Sequence, residues 1–233
     1  RWTTDHASPR FLLPTASGLF ATSWGSDFVY QLDLLTGSPM DSFDVQGPSE
    51  AIALYNGQLF VGRGGYGNSD TVARIDLALR TVHFDRAGDL PQSMVEHDGQ
   101  LYLLCSGYTD WSTGDHTTGG LWKFDESNEQ WALEASPADS SLHPQDLATD
   151  GTHLFFLNNT YGGEVLNYAP LSGLWPASTG FGGSAYHWTL LNDTAYLFDA
   201  KDYASNGAVQ VYTKDGTPLD TLEVGVIPRQ MIQ

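Results

Sequence analysis

The chain has 233 residues, 28 of them acidic and only 10 basic, for a formal net charge of −18 at pH 7. Such a surface repels phosphate backbones and anionic lipid, which argues against nucleic acid and bare membrane as partners. Its 41% hydrophobic and 12% aromatic content is that of a folded globular protein, and no apolar run reaches the roughly 18 residues needed to span a bilayer.

The chain starts at Arg1, without Met and without a signal-like apolar core. With the acidic surface, this leads us to expect a processed, extracellular protein. Cys105 is the one cysteine, so no disulfide forms within the chain; in Leu101-Tyr-Leu-Leu-Cys-Ser it reads as a small core residue.

The predicted elements form a repeat. A starter of the form Pro-x-x-apolar-apolar recurs with its proline at 9, 48, 91, 144, 186 (Tyr in place of Pro) and 228, at intervals of 39, 43, 53, 42 and 42 residues. That period matches a four-stranded propeller blade. After each starter strand comes a turn: Gly18, Asn56-Gly57, Asp98-Gly99, Asp150-Gly151 and Asn192-Asp193. Asn-Gly suits a type I′ hairpin, whose two central residues both need positive φ.

An apolar second strand follows, at Leu19, Leu59, Leu101, Leu154 and Ala195. These near-continuous apolar runs suit strands packed on both faces. Third strands are expected at 28–32, 71–75, 120–124, 164–168 and 208–212, several ending at an acidic turn such as Asp33, Asp76 or Asp125. A polar outer strand closes each unit, for example at 39–45, 81–86, 130–134 and 218–224; the fourth unit is least regular, around Pro170 to Trp175.

No stretch sustains a 3.6-residue period, so the expected fold is all-β: one β-propeller domain of five four-stranded blades. The repeats run at 8–46, 47–89, 90–142, 143–184 and 185–226. Residues 227–233 are then a surplus first strand. It would close the ring, displacing residues 8–14 from the first blade, or start a blade whose remainder is absent, or pair with another copy of the chain.

The repeat, with strand ends such as Ile75-Asp76 and Phe124-Asp125 and the Thr36-Gly37 turn after Leu32-Asp33, resembles the secreted YVTN and NHL propeller repeats. The five-fold count is also similar to tachylectin-type lectin propellers, although the tryptophan motifs of those repeats are missing. The likeness implies a fold and little about function, since such propellers serve as binding modules, assembly domains and enzymes.

Loops between second and third strands share a face with the starters, and each carries an aromatic: Trp24, Tyr66, Tyr108 with Trp111, Tyr161 and Tyr203. Aromatics flanked by Asn, Asp and Gly suit stacking on sugar faces or gripping a protein; alternatively they tuck between blades and shield the core. At the starters, Glu50, Gln92, Asp146, His187 and Arg229 differ from blade to blade, as a specific pocket at the channel mouth requires.

His116, His143 and His187 with Asp146 invite a metal reading, but no close-spaced histidine pair supports it, and we expect no metal site. Calcium is the ion that Asp70, Asp110, Asp115, Asp199 and Asp202 would suit best, though no Asp-x-Asp-x-Asp-Gly loop occurs. Nucleophile-elbow, phosphate-loop and zinc-protease motifs are missing.

The expected function is therefore a secreted, non-catalytic binding or self-assembly module whose partner is a glycan, a protein or another copy of itself. The alternative is an extracellular lyase or glycosidase using Glu50 and Asp146 at the channel mouth.

Overall fold

A computed structural model describes residues 8–65, 69–159, 163–168, 173–176 and 180–228, and of Ser184 the backbone. Among the described residues there is no helix. Twenty strands form five antiparallel sheets, each of four strands consecutive in the chain. These are the five blades of a β-propeller.

Blade 1 comprises β1 (Pro9–Thr15), β2 (Gly18–Ser23), β3 (Phe28–Leu32) and β4 (Pro39–Asp44). Blade 2 comprises β5 (Ile52–Tyr55), β6 (Gln58–Gly62), β7 (Thr71–Asp76) and β8 (Thr81–Arg86). Blade 3 is β9 (Pro91–His97), β10 (Gln100–Cys105), β11 (Gly120–Asp125) and β12 (Gln130–Ala135). Blade 4 is β13 (Gln145–Thr149), β14 (Leu154–Leu157), β15 (Gly163–Tyr168) and β16 (Phe181–Ala185). Blade 5 is β17 (His187–Leu191), β18 (Thr194–Asp199), β19 (Ala208–Thr213) and β20 (Pro218–Glu223).

Local chemistry explains the hairpins. Asn56 and Gly57 have φ of 47° and 78°, between the paired residues Tyr55 and Gln58. Asp98-Gly99 and Asn192-Asp193 also have two positive φ angles, the requirement of a type I′ turn. The acidic ends of the third strands are turn residues as well. Asp33 Oδ1 accepts the amides of Leu35 and Thr36, Asp76 Oδ1 those of Ala78 and Leu79, and Asp125 Oδ1 that of Ser127. The Asp side chain substitutes for a backbone acceptor, which is why this residue recurs there.

The apolar second strands pack on both sides. In β6, Leu59 and Val61 face Phe20, Val29 and Phe43 of blade 1, whereas Phe60 faces Leu101, Leu103 and Phe124 of blade 3. Two more clusters join blades 3 and 4 and blades 4 and 5 in the same way. Among the described residues, Leu19, Ala21 and Leu32 of blade 1 form a separate cluster, as do Phe198, Val209 and Val211 of blade 5. Cys105 sits inside the blade 2–blade 3 cluster, and burial pushes its thiol far above the ordinary value.

Two places depart from expectation. The outer strand of blade 4 is β16, a Gly-rich segment in which Gly182 and Gly183 have φ of 85° and 136°; its composition reads as loop. At the ring's start, Pro9–Thr15 itself takes the first-strand position of blade 1, paired with β2, and is not displaced. Residues 229–233, the greater part of the surplus starter, lie outside the described residues. Its beginning is held where the Tyr186 hydroxyl donates to the Pro228 carbonyl.

Candidate functional site

The five starters converge on one end of the channel, and neighbouring blades are clasped to one another there. Thr22 Oγ1 at the end of β2 donates to the Glu50 carbonyl (2.9 Å), and Ser106 Oγ beyond β10 donates to the Pro144 carbonyl (2.7 Å). Gln145 Nε2 donates to the Tyr186 carbonyl (2.5 Å). Between blades 2 and 3 close backbone approach does the same work. A Cβ on Gly62 or Gly64 would lie 2.6 or 2.4 Å from the Pro91 carbonyl oxygen, so only glycine admits the third starter at this depth.

Around these clasps lies a cavity of about 610 Å³ with walls from all five blades. Every described residue of the sequence-derived set lines it: Trp24, Tyr108, Trp111 and Tyr203 from the loops, and Glu50, Gln92, Asp146 and His187 from the starters. Tyr66, Tyr161 and Arg229 lie outside the described residues. A second cavity, also about 610 Å³, runs between the first strands, and Arg10, Asp146 and His187 line both.

The polar groups of the mouth are fixed in pairs. Arg10 grips Glu50 with Nε (2.9 Å to Oε2) and Nη2 (2.7 Å to Oε1), and the Glu50 side chain is only 3% exposed. The guanidinium carbon lies 3.9 Å from the Trp24 ring centroid, so one Arg links starter, carboxylate and aromatic. The Trp24 ring in turn covers Gly65 of the next blade, where an added Cβ would come within 2.9 Å of it.

His187 Nδ1 meets Asp146 Oδ2 at 2.6 Å, with the imidazole stacked on Phe198 (centroids 5.7 Å apart, 22° between planes). Asp146 sits at φ 59°, held by Gln92 Oε1 on its amide (3.1 Å) and Trp188 Nε1 on its carbonyl (2.7 Å). With Nδ1–H donated to the carboxylate, His187 keeps Nε2 as its acceptor nitrogen.

On the opposite side, His143 Nδ1 donates to the Ser106 carbonyl (3.0 Å), and its Nε2 lies 3.1 Å from His116 Nδ1 and 2.8 Å from Thr109 Oγ1. His116 and Thr109 belong to the long loop after β10, joined by a two-stranded bridge.

The aromatics divide between the two readings the sequence left open. Trp24 is half-buried against the neighbouring blade, whereas Trp111 and Tyr203 are 79% and 51% exposed. Tyr203 packs edge-on against Tyr186 at 5.8 Å. Tyr186 is a cavity-lining residue that the aromatic series did not include; its signal was the Tyr in place of the starter proline. Thr109 had no such signal.

Four of the five loop aspartates are tied up locally. Asp110 Oδ1 accepts Ser112 N, Asp199 Oδ1 accepts Lys201 N, and Asp202 Oδ1 accepts Ala204 N and Ser205 N, while Asp70 pairs with Arg86. The amides of Ser205 and Ala204 hold the Asp202 carboxyl down to about 2. Among the described residues, no three His, Cys, Asp or Glu side chains gather as a metal cage.

No family model matches the chain, and no curated protein matches it either. Among solved structures, hydrazine synthase from Kuenenia stuttgartiensis is similar at 16% identity, over 95% of this chain and 67% of that one, with a TM-score of 0.71. A chain of a nidogen/laminin complex is similar at 15% identity, over 92% of this chain and 78% of that one, with a TM-score of 0.59. A putative 6-phosphogluconolactonase from Bacteroides uniformis gives 12%, 97%, 74% and 0.67 in the same order. These similarities are to propeller proteins, and at such identities they establish the fold and leave the activity to the site.

Proposed function

We propose that this chain is an extracellular binding module that takes a saccharide unit into the channel mouth. The observation carrying this reading is the convergence of exposed aromatics and pre-paired polar groups from all five blades on one 610 Å³ cavity. That volume falls in the range of small-molecule sites, and faces of Trp111 and Tyr203 flanked by amide and imidazole groups match a sugar's apolar face and hydroxyl edge. The clasps are satisfied without a ligand, so the mouth is pre-formed and binding need not order it.

The geometry favours binding over glycoside cleavage by Glu50 and Asp146. Arg10 engages both Glu50 oxygens, so that carboxyl is not placed to deliver a proton to a glycosidic oxygen, and His187 occupies one oxygen of Asp146. One observation supports an enzyme of another kind, the His187–Asp146 pair, which presents an oriented imidazole to the cavity. Likeness to a chain of a nidogen/laminin complex supports a protein ligand as the other occupant of the same face.

Glycan-array binding of the intact chain, with Trp111→Ala and Gln92→Ala alongside, tests the proposal. Trp111 is exposed enough to be truncated without harm to the fold. Binding of at least one saccharide is expected, weakened roughly tenfold or more by Trp111→Ala, in line with loss of an aromatic anchor. No saccharide bound, or binding indifferent to both changes, would sink it.

A further inference from the structure

We propose that His116 and His143 form a binding site for a divalent transition-metal ion of the zinc, nickel or copper class, at the rim of the mouth. The case starts from the tautomer of His143. This ring is buried (8% exposed), and its Nδ1–H is committed to the Ser106 carbonyl at 3.0 Å. Nε2 is therefore the acceptor nitrogen and is aimed at His116 and Thr109. A backbone carbonyl on the far ring nitrogen is the usual outer support of a ligating histidine, because it fixes the ring and raises its basicity. Ser106 cannot shift easily, since its Oγ is bonded to the Pro144 carbonyl at 2.7 Å.

The second ligand comes from the long loop. His116 Nδ1 is 3.1 Å from His143 Nε2, and Thr109 Oγ1 is 3.1 Å from the first and 2.8 Å from the second. Two nitrogens bound to one ion at about 2.1 Å stand roughly 3.0 Å apart at a right angle and roughly 3.4 Å apart at a tetrahedral one, so the observed 3.1 Å lies within the span of neighbouring ligands. The two rings face each other with centroids 5.3 Å apart and planes 37° apart; an ion would replace the His116 Nδ1 to His143 Nε2 hydrogen bond, the His116 proton moving to its own Nε2.

The loop is built to hold this approach. Thr109 and His116 form the bridge of a small hairpin, closed by Thr117 N to the Tyr108 carbonyl (2.8 Å) and Tyr108 N to Thr117 Oγ1 (2.8 Å). This is the insertion that makes the third repeat longer than its neighbours. Its structural consequence is to carry one imidazole across to the starter of the next blade.

Two imidazoles select for borderline-soft ions over calcium or magnesium, which want oxygen cages. Since no third His, Cys, Asp or Glu joins the pair among the described residues, the ion would keep coordination positions for water or for oxygens of a bound ligand.

Isothermal titration of the metal-free chain with zinc chloride, nickel chloride and calcium chloride tests the site, using His116→Ala as the key variant. His116 is exposed and outside the blades, so its removal leaves the fold intact. The expected result is one zinc or nickel ion per chain, affinity lowered at least roughly tenfold by His116→Ala, and no competition from calcium. Electron paramagnetic resonance of the copper(II)-loaded chain gives a second readout: coupling to two imidazole nitrogens in the wild type and to one in His116→Ala. Absence of zinc and nickel binding up to about 1 mM, or binding and copper spectra unchanged in His116→Ala, overturns the proposal.

Discussion

Asp150 joins charge, burial and turn geometry in one side chain. Its side chain is 2% exposed and accepts Lys214 Nζ (2.7 Å), Thr152 Oγ1 (2.7 Å) and the amides of Thr152 and His153 (2.8 Å each). Burial alone would raise its pKa. Lys214 and the Thr152 and His153 donors overcome that and hold the carboxyl well below the usual range. A depressed folded-state pKa means stability that is fully present above the unfolded value near 4 and is lost as pH falls through the folded one. Asp150→Asn should therefore cost about 1–3 kcal/mol at neutral pH, and the variant should lose less than the wild type between about pH 4 and pH 2. Urea melts at several pH values measure both; parallel pH profiles for the two proteins would refute the assignment. The sequence marked Asp150-Gly151 as a turn, but Lys214 comes from the next blade, 64 residues on. The site was legible to the same depth. The repeat frame located Glu50, Gln92, Asp146 and His187 at the mouth, yet the pairings Arg10–Glu50 and Asp146–His187 cross blades, and no local pattern encodes them.

Within each blade the hairpin between first and second strands is where sequence and backbone agree most closely. Gly57 has φ 78°, and nothing lies within 4 Å of an added Cβ, so Gly57→Ala probes conformation alone. It should destabilise by about 1 kcal/mol. The equivalent turn of blade 5 places Asn192 and Asp193 at φ 48° and 60° without a glycine. Asp193→Gly should stabilise by roughly 0.5 kcal/mol, relief of the backbone outweighing an exposed ion pair to Lys214 that is already long at 3.6 Å. Opposite shifts in denaturation midpoint are the expected signature; shifts of the same sign would show that these turns are not governed by positive φ. Such turns, and the two-sided apolar second strands, were readable because each follows from a few adjacent residues. Strand β16 was not, because Phe181-Gly-Gly-Ser-Ala has neither alternation nor β-branched residues and pairs with β15 through tertiary context.

Across the whole molecule the ring is mechanically unequal. Blades 2, 3 and 4 each share an apolar cluster with both neighbours: Phe60 and Leu59 of blade 2 point into different clusters, as do Leu103 and Leu104 of blade 3 and Phe155 and Phe156 of blade 4. Among the described residues, blades 1 and 5 each share one such cluster and keep another of their own, Leu19–Ala21–Leu32 and Phe198–Val209–Val211. In an array of blades stabilised by nearest-neighbour interfaces, units with one shared core open first and do so without unfolding the rest. Hydrogen exchange should therefore release the amides of β2–β3 and β18–β19 before those of β6–β7 and β10–β11, even though each pair is the two central strands of a four-stranded sheet. Exchange from all five blades at one common free energy would mean that the junction between blades 5 and 1 is as strong as the rest. The channel mouth feels the same inequality. Arg10 of blade 1 and His187 of blade 5 stand on either side of that junction, and each is held by a partner in the adjoining inner blade, Glu50 and Asp146. Together with the Thr22–Glu50 and Gln145–Tyr186 clasps, those two pairs tie the outer blades to the inner ones, so Glu50→Gln should bring forward exchange in β1–β2 while leaving β10–β11 unchanged.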